Sequence, residues 1–188
     1  VERGSKKYEE YARLLDELPH GRPGASRPIY HAGGIIQIIG ETYFTLLEAE
    51  PRKGTSFSPG ERIYVGKEGR TKVSHILGRI TYEELTSAAR AELPSVVGII
   101  IKSKEGRFIE FFNVSQPVTS RMHALELIPG IGKRLMWQII DQRERRTFIS
   151  FEDLQGRVNL IDPVKLLVRR VLKELSEDEK YLLFTRRM

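Results

Sequence analysis

Leu125-Glu126-Leu127-Ile128-Pro129-Gly130-Ile131-Gly132-Lys133-Arg134 is the stretch that decides how this chain folds and what it can touch. Pro129 has no amide hydrogen and clashes with a preceding helical turn, so a helix arriving from Leu125 must stop there. Gly130 and Gly132 allow backbone geometries that a side chain would hinder, and they leave room for a ligand to reach the main chain. The amides of Ile131, Gly132, Lys133 and Arg134 then stand at the start of a new helix, where unpaired N–H groups and the helix dipole favour an anion. Lys133 and Arg134 add side-chain charge at the same place. Contacts of this kind hold a sugar-phosphate backbone without reading bases. A tight turn between packed helices is the purely structural alternative.

Working outward, Leu135, Met136, Ile139 and Ile140 form an apolar stripe at helical spacing, followed by Arg143, Arg145 and Arg146 and by Phe148-Ile149-Ser150-Phe151-Glu152-Asp153-Leu154. With the proline, both glycines and the downstream apolar pair in register, these residues resemble a helix-hairpin-helix motif and the connector that leads to a second one. Ser150 is expected to cap a short helix. A degenerate second hairpin is expected over 156–163, without the two glycines but with Asp162 as N-cap and Pro163 at the first helical position, where its missing N–H is harmless. Val164, Leu167, Val168, Val171, Leu172 and Leu175 then mark one apolar helical face, which leaves Lys165, Arg169, Arg170 and Lys173 outside, for solvent or for phosphate. Met136 stands where the resembled family commonly has alanine, which bears on helix packing and not on the anion site. The resemblance also implies that backbone carbonyls at the hairpin, here those of Glu126, Ile128 and Ile131, can hold a monovalent cation. No other cofactor is expected.

Upstream, Tyr8, Tyr11, Leu14, Leu15 and Leu18 recur at helical spacing and predict an amphipathic helix between Lys6 and Leu18, stopped by Pro19. Residues 19–28, rich in Pro and Gly, read as a linker. Strands are expected over 33–40 and 41–50 as a hairpin, and over 61–80 with a break near Gly69. Thr81 and Glu84 form a capping box for a helix that runs to about Leu93 and is closed by Pro94. Two further strands, 95–102 and 107–114, would flank a turn at 103–106. This order resembles an OB-fold, a small Greek-key barrel that often takes single-stranded nucleic acid. Tyr43, Phe44, Tyr64, Phe108, Phe111 and Phe112 are candidate stacking faces, with Lys67, Arg70, Lys72, Lys102, Lys104 and Arg107 beside them; as core, the same aromatics would face inward. Trp137, off the apolar stripe, is expected to pack against the barrel. Ser176 and Glu179 suggest another capping box, opening a terminal helix through Phe184.

The fold class expected is therefore α+β: an N-terminal helix and linker (1–26), an OB-like five-stranded barrel (27–118), an all-α helix-hairpin-helix domain (119–175) and a C-terminal helix (176–188). Lys and Arg number 31 against 25 acidic residues, a formal charge of +6 in 188 residues, which favours polyanionic partners. Most of the excess lies in residues 119–175, where 11 basic residues meet seven acidic ones. Without cysteine there is no disulfide framework or thiolate zinc site, and a cytoplasmic setting is natural. His20, His31, His75 and His123 lack metal-ligand spacing and read as surface or packing residues. The longest apolar run, 96–101, is too short to span a bilayer.

As a whole, the barrel-plus-hairpin layout resembles an uncharacterised archaeal family of predicted RNA-binding proteins. That resemblance implies RNA as the partner, whereas the hairpin alone would more often suggest duplex DNA; a non-catalytic protein is expected because no catalytic apparatus is visible, with no membrane and no small-molecule substrate. An adaptor in the ribosomal or transcription machinery is the alternative. DNA-repair glycosylases and nucleases carry similar hairpins, but although Asp153 is the nearest formal glycosylase candidate, strands are expected where those enzymes build a helical scaffold upstream, and Glu144-Arg145-Arg146 lacks its accompanying nuclease aspartate, which would fall at Ser150. The expected nucleic-acid contacts are Pro129, Gly130, Ile131, Gly132, Lys133 and Arg134 at the hairpin, Arg169 and Arg170 on the last basic helix, and Lys102, Lys104 and Arg107 on the barrel.

Overall fold

The computed structural model describes residues 8–21 and 34–187. The linker expected over 19–28, the start of the first expected hairpin strand and His31 lie largely or wholly outside the described residues. The chain forms two compact units, one of residues up to Val96 together with the C-terminal residues from Phe184, the other of Val97–Leu183. The fold class is α+β.

The first unit is a curled five-stranded antiparallel sheet. Its strands are β1 (Tyr11–Leu18), β2 (Ile35–Gly40), β3 (Leu46–Pro51), β4 (Arg62–Tyr64) and β5 (Val73–Arg79), hydrogen-bonded in the order β4-β1-β2-β3-β5. The hairpin and the broken third strand region, with Gly69 in the break, match expectation. β1 does not: it was expected as a helix. Its pairing with β2 slips between Leu14 and Asp16, a bulge that disturbs the alternation of inward and outward residues. Ala12, Leu14, Leu15 and Leu18 are consequently all buried, and the bulged strand imitates helical spacing. Ala12, Leu14, Ile36, Ile38, Leu47, Ala49, Ile63, Val65 and Val73 form one apolar core. The Glu9 carboxylate accepts the amides of Thr42 (2.9 Å), Tyr43 (2.8 Å) and Thr45 (3.2 Å), clamping the β2–β3 connection. Gly40 is required there, because a Cβ would fall 2.0 Å from the Glu9 carboxyl carbon.

Thr81 and Glu84 form the expected capping box on a single 3-10 turn, Tyr82–Glu84. The helix itself, α1 (Ser87–Ser103), begins at Thr86, whose hydroxyl accepts the Ala89 amide at 3.0 Å and donates to Asp16 at 2.6 Å. Pro94 lies inside α1 and does not end it. Pro94 and Arg90 are both exposed, so the carbonyl that the proline leaves unpaired can be solvated. The two strands expected over 95–102 and 107–114 are helical, within α1 and as α2 (Glu105–Val114). In the apolar run Leu93, Val96, Val97, Ile100 and Ile101 are buried, a helical stripe, and in α2 Phe108, Ile109 and Phe112 are. A short β-branched run is compatible with either state, and only the surface it packs against decides. The five strands of the sheet all precede the first helix, so the expected placement of a helix between the third and fourth strands is overturned.

The second unit continues with a short hairpin, β6 (Pro117–Thr119) and β7 (Met122–His123), a 3-10 turn over Ala124–Leu127, and the helices α3 (Lys133–Arg145), α4 (Phe151–Arg157) and α5 (Pro163–Ser176). Residues 97–118, expected with the strands, belong to this unit. Ser150 caps α4 through the Asp153 amide (3.0 Å), and Asp162 caps α5 through that of Lys165 (3.0 Å), both as expected. The terminal helix is not formed. Glu177 ends α5, the Ser176 hydroxyl donates to the Leu172 carbonyl, and Glu179 pairs with Arg170 and Lys173.

Three arginines hold this unit together. Arg143 donates to the Phe112 and Ser115 carbonyls (3.0 and 2.9 Å) at the end of α2. Arg157 reaches the Gln142 and Arg146 carbonyls at the end of α3 and lies over the Phe148 ring. Arg170, expected on an outer basic face, is instead only 1% exposed. Its guanidinium donates to Glu174 (2.8 Å), Glu179 (3.1 Å), the Leu127 carbonyl (3.0 Å) and the Tyr181 carbonyl. Removing one member of a buried charge network strands the others without solvent. Arg170→Met should therefore destabilise the protein by about 3–5 kcal/mol, whereas Arg169→Ala, at an exposed position, should change stability by less than about 0.5 kcal/mol; urea unfolding of the two variants measures the contrast.

Candidate nucleic-acid interface

Everything expected of the Pro129-Gly130 turn depends on which of its polar groups are already used. The turn leads from the 3-10 segment into α3, and its apolar side chains face inward: Leu125 and Ile128 are fully buried and Ile131 nearly so. The Ile131 amide donates to the Ile128 carbonyl at 3.0 Å, so it is not available as an anion donor in the way its position suggested. The first intrahelical bond runs from the Met136 amide to the Gly132 carbonyl (2.9 Å). The amides of Lys133, Arg134 and Leu135 precede it and have no acceptor within the helix.

The two glycines have different reasons to be there. Gly130 has φ +97°, a conformation L residues rarely adopt, and an added Cβ would sit 3.0 Å from the Leu166 side chain of α5. Gly132 is the N-cap of α3 with φ −88° and ψ 179°, ordinary extended backbone, and a Cβ there would meet nothing within 4 Å. The fold therefore needs Gly130 and does not need Gly132. No side chain caps α3, although Ser, Asp or Asn in place of the glycine would add about a few tenths of a kcal/mol. At α5 the corresponding place is filled by the Asp162 carboxylate. Lys133 and Arg134 are exposed, and among the described residues neither side chain has an ion-pair or hydrogen-bond partner.

The other expected contacts are scattered. Arg169 is exposed on α5, and Arg170 is the buried tie described above. Lys102, Lys104 and Arg107 lie at the junction of α1 and α2, not on strands, with the Arg107 guanidinium 5.3 Å from the Phe108 ring. Phe44, Phe108 and Phe112 are fully buried and cannot stack on a ligand; Tyr43 is covered by Arg186 at 3.4 Å, and Tyr64 meets Tyr11 edge-on. Lys67 and Arg70, with Arg79 and Tyr8, line a groove of about 310 Å³ on the sheet unit. Of the three carbonyls considered for a cation, that of Ile128 accepts the Ile131 amide. Among the described residues no three His, Asp or Glu side chains gather as a metal site.

Asp153 accepts from Arg146 (3.0 Å), Arg157 (3.2 Å) and the Ile149 amide (3.2 Å). Partial burial pulls its pKa up, but the amide and the two guanidiniums outweigh that, and the carboxyl lies below the ordinary aspartate value. Its lone pairs are committed to fixing the start of α4.

Sequence reasoning missed a cleft. It has a volume of about 590 Å³ and lies between the β6–β7 hairpin and α3, lined by Arg121, Met122, His123, Glu126, Lys133 and Trp137 among others. Trp137, expected against the barrel, is 63% exposed on its wall. The signal was in the sequence, since Trp137 stands four residues after Lys133 and so on the same helical face. The surface facing it was not legible, because a three-residue and a two-residue strand leave almost no pattern.

His123 lines this cleft and is itself buried. Its Nδ1 accepts the Leu125 amide (3.1 Å), while its own amide donates to Glu126 (2.8 Å), a reciprocal cap on the 3-10 turn. Burial above all, and then the Arg143 charge, lower its pKa below the ordinary histidine value, against the opposing pull of Glu126 and the Ser115 backbone.

Together these features define a class: an α+β protein with a curled antiparallel sheet unit and a helical unit whose α3 opens, uncapped and flanked by free cations, beside a cleft. The chain belongs to the family described as Protein of unknown function (DUF655), which it matches over residues 8–186. It is 42% identical over 184 residues to Uncharacterized protein MJ0038 of Methanocaldococcus jannaschii, a match covering 96% of this chain and 82% of that one. The crystal structure of Af1531 from Archaeoglobus fulgidus, assigned to the same family, superposes with a TM-score of 0.86 at 46% identity, covering 95% of this chain and 100% of the other. Both relatives are archaeal, as the resemblance drawn from the sequence implied.

The lowered His123 pKa fixes the sign of a pH effect. Between the folded pKa and the ordinary histidine value the unfolded chain binds more protons, so stability from this group is complete above about pH 7 and is lost as pH falls through roughly 6.5 towards the folded value. Thermal melts across that window should show the wild type losing stability on acidification and His123→Asn, which keeps a capping oxygen without a titratable ring, losing less.

Proposed function

We propose that this protein binds nucleic acid without catalysing a reaction, and that it grips one strand by a phosphate held at the start of α3. The carrying observation is the contrast between its two capped and uncapped helix starts: α5 carries the Asp162 carboxylate on its amides, whereas α3 begins at a bare glycine that the backbone does not require. An anion there meets the Lys133, Arg134 and Leu135 amides, the positive end of a thirteen-residue helix, and the two unpartnered cations. In this proposal the Pro129-Gly130 turn acts as a helix-hairpin-helix. Its incoming helix is shortened to the 3-10 turn, and the second hairpin, with its own carboxylate in place, serves packing.

RNA is the partner proposed, because RNA presents helical backbone beside unpaired segments and protein modules commonly engage both. An OB-like role for the sheet unit rests on the groove lined by Lys67, Arg70 and Arg79 and takes a lesser part. The basic residues at 143, 157 and 170 are spent on carbonyls and carboxylates inside the unit, so the charge excess of residues 119–175 overstates what is free for a ligand.

Gly132→Asp tests the proposal directly. It gives α3 the cap that α5 already has, so stability should be unchanged or rise by a few tenths of a kcal/mol, while an acidic group on the anion site should lower affinity for duplex RNA by roughly tenfold or more. Tight binding by the folded variant would remove α3 from the interface. Separately, affinity should fall linearly with salt on logarithmic axes, and Lys133→Ala and Arg134→Ala should each reduce the slope by about one. A flat salt dependence would favour the protein-adaptor alternative.

A further inference from the structure

The cleft beside α3 has the composition of a site for a flat, partly polar ligand. Trp137 presents the largest exposed aromatic surface of the helical unit, and Met122, 38% exposed, with Met136 and Ile140 continues the apolar lining. Around these lie groups able to meet the edge of a heterocycle, among them Gln116, Thr119 and Ser120. Charge is complementary to a nucleotide. Arg121 and Lys133 stand at the cleft, exposed and without a side-chain partner among the described residues, while the one acidic lining residue, Glu126, is occupied by the His123 amide. A volume of about 590 Å³ falls within the range of small-molecule sites.

Position adds a second, independent constraint. Lys133 belongs both to the cleft and to the proposed phosphate site, and Trp137 follows it on the same face by ~6 Å, four residues at the helical rise. A nucleotide whose phosphate lies at the start of α3 thus has an aromatic face about one helical turn away, in the direction of the cleft. A base still paired within a duplex is stacked on both sides and offers no face to Trp137.

We infer that this cleft receives one unstacked nucleobase, stacked on Trp137, of the strand whose phosphate α3 holds; the inference rests on the proposed function and deepens it from backbone binding to recognition of an unpaired nucleotide. Stacking of this kind is tolerant of sequence, since every base has a π face. The helical unit alone then distinguishes a flush duplex from one with an unpaired extension.

Trp137 is the single tryptophan of the chain, so its emission reports on the cleft directly. The full chain is titrated with a flush RNA duplex and with the same duplex bearing a single-stranded uridine extension, while anisotropy of labelled RNA follows binding. Both RNAs should bind, and only the extended one should quench Trp137. Trp137→Ala should weaken binding of the extended RNA by about tenfold and leave the flush duplex unaffected, with Trp137→Phe recovering most of the loss. The side chain is exposed, so thermal melts of both variants should match the wild type. Binding of the extended RNA without quenching, equal quenching by the flush duplex, or an equal effect of Trp137→Ala on both RNAs would overturn the cleft while leaving the α3 phosphate site standing. No binding of either RNA would overturn both.

Discussion

A single buried guanidinium sets the frame of the helical unit. Arg170 lies in α5, yet it binds the Leu127 carbonyl immediately ahead of the turn, two carboxylates, and a carbonyl of the segment that follows α5. A charge this deeply buried is tolerable only when every donor finds an acceptor, because its hydration is lost entirely. The geometry of the acceptors is therefore fixed by the requirement to satisfy it. Glu174, itself buried, also accepts the Leu183 amide (2.7 Å), which extends the constraint to the end of the unit. The turn at Pro129-Gly130 is thus held from behind by charge-assisted hydrogen bonds, and Leu166 leaves no room for a side chain at Gly130.

A rigid turn is what an anion site made of amides needs. Amide dipoles bind well only if they already point at the ligand, and the ordering cost is then met by folding and not by binding. The chain keeps α3 uncapped and forgoes a modest stabilisation that it accepts at α4 and α5 through Ser150 and Asp162. An omission of that kind on a surface turn, with two unpartnered cations beside it, agrees with the proposed role. Part of the positive charge of the unit is internal carpentry at Arg143, Arg157 and Arg170; of the rest, Lys133 and Arg134 stand where α3 begins, and Lys165 and Arg169 lie on α5.

The errors made from sequence share a cause. At Leu14 and Leu15 a bulge broke the two-residue period and produced a helical pattern in a strand. In 95–102 a β-branched run suggested a strand where burial at Val96, Val97, Ile100 and Ile101 made a helix. At Ser176 and Glu179 a capping pattern was present, but Glu179 was taken by Arg170 and Lys173. In each case the local signal was real and a distant partner outweighed it. Isolated propensities differ by less than about 1 kcal/mol per residue, whereas burying a large apolar side chain is worth about 1.5–3 kcal/mol.

The sequence by itself determined the features enforced within a few residues. Pro129 with Gly130 made a turn, Ser150 and Asp162 capped helices, Pro163 began one, Gly69 broke a strand, and the spacing after Gly132 made α3. These follow from torsional freedom and from hydrogen bonds that a short segment makes with itself, so no other part of the chain has to be known. Tertiary structure alone decided which of two identical-looking groups was available: Arg170 buried and Arg169 free, Gly130 required and Gly132 not, Trp137 facing a cleft. Availability is a property of what lies opposite in space: the Leu127 carbonyl that Arg170 binds is 43 residues away in sequence, and the Leu166 side chain that leaves no room for a Cβ at Gly130 about thirty-five.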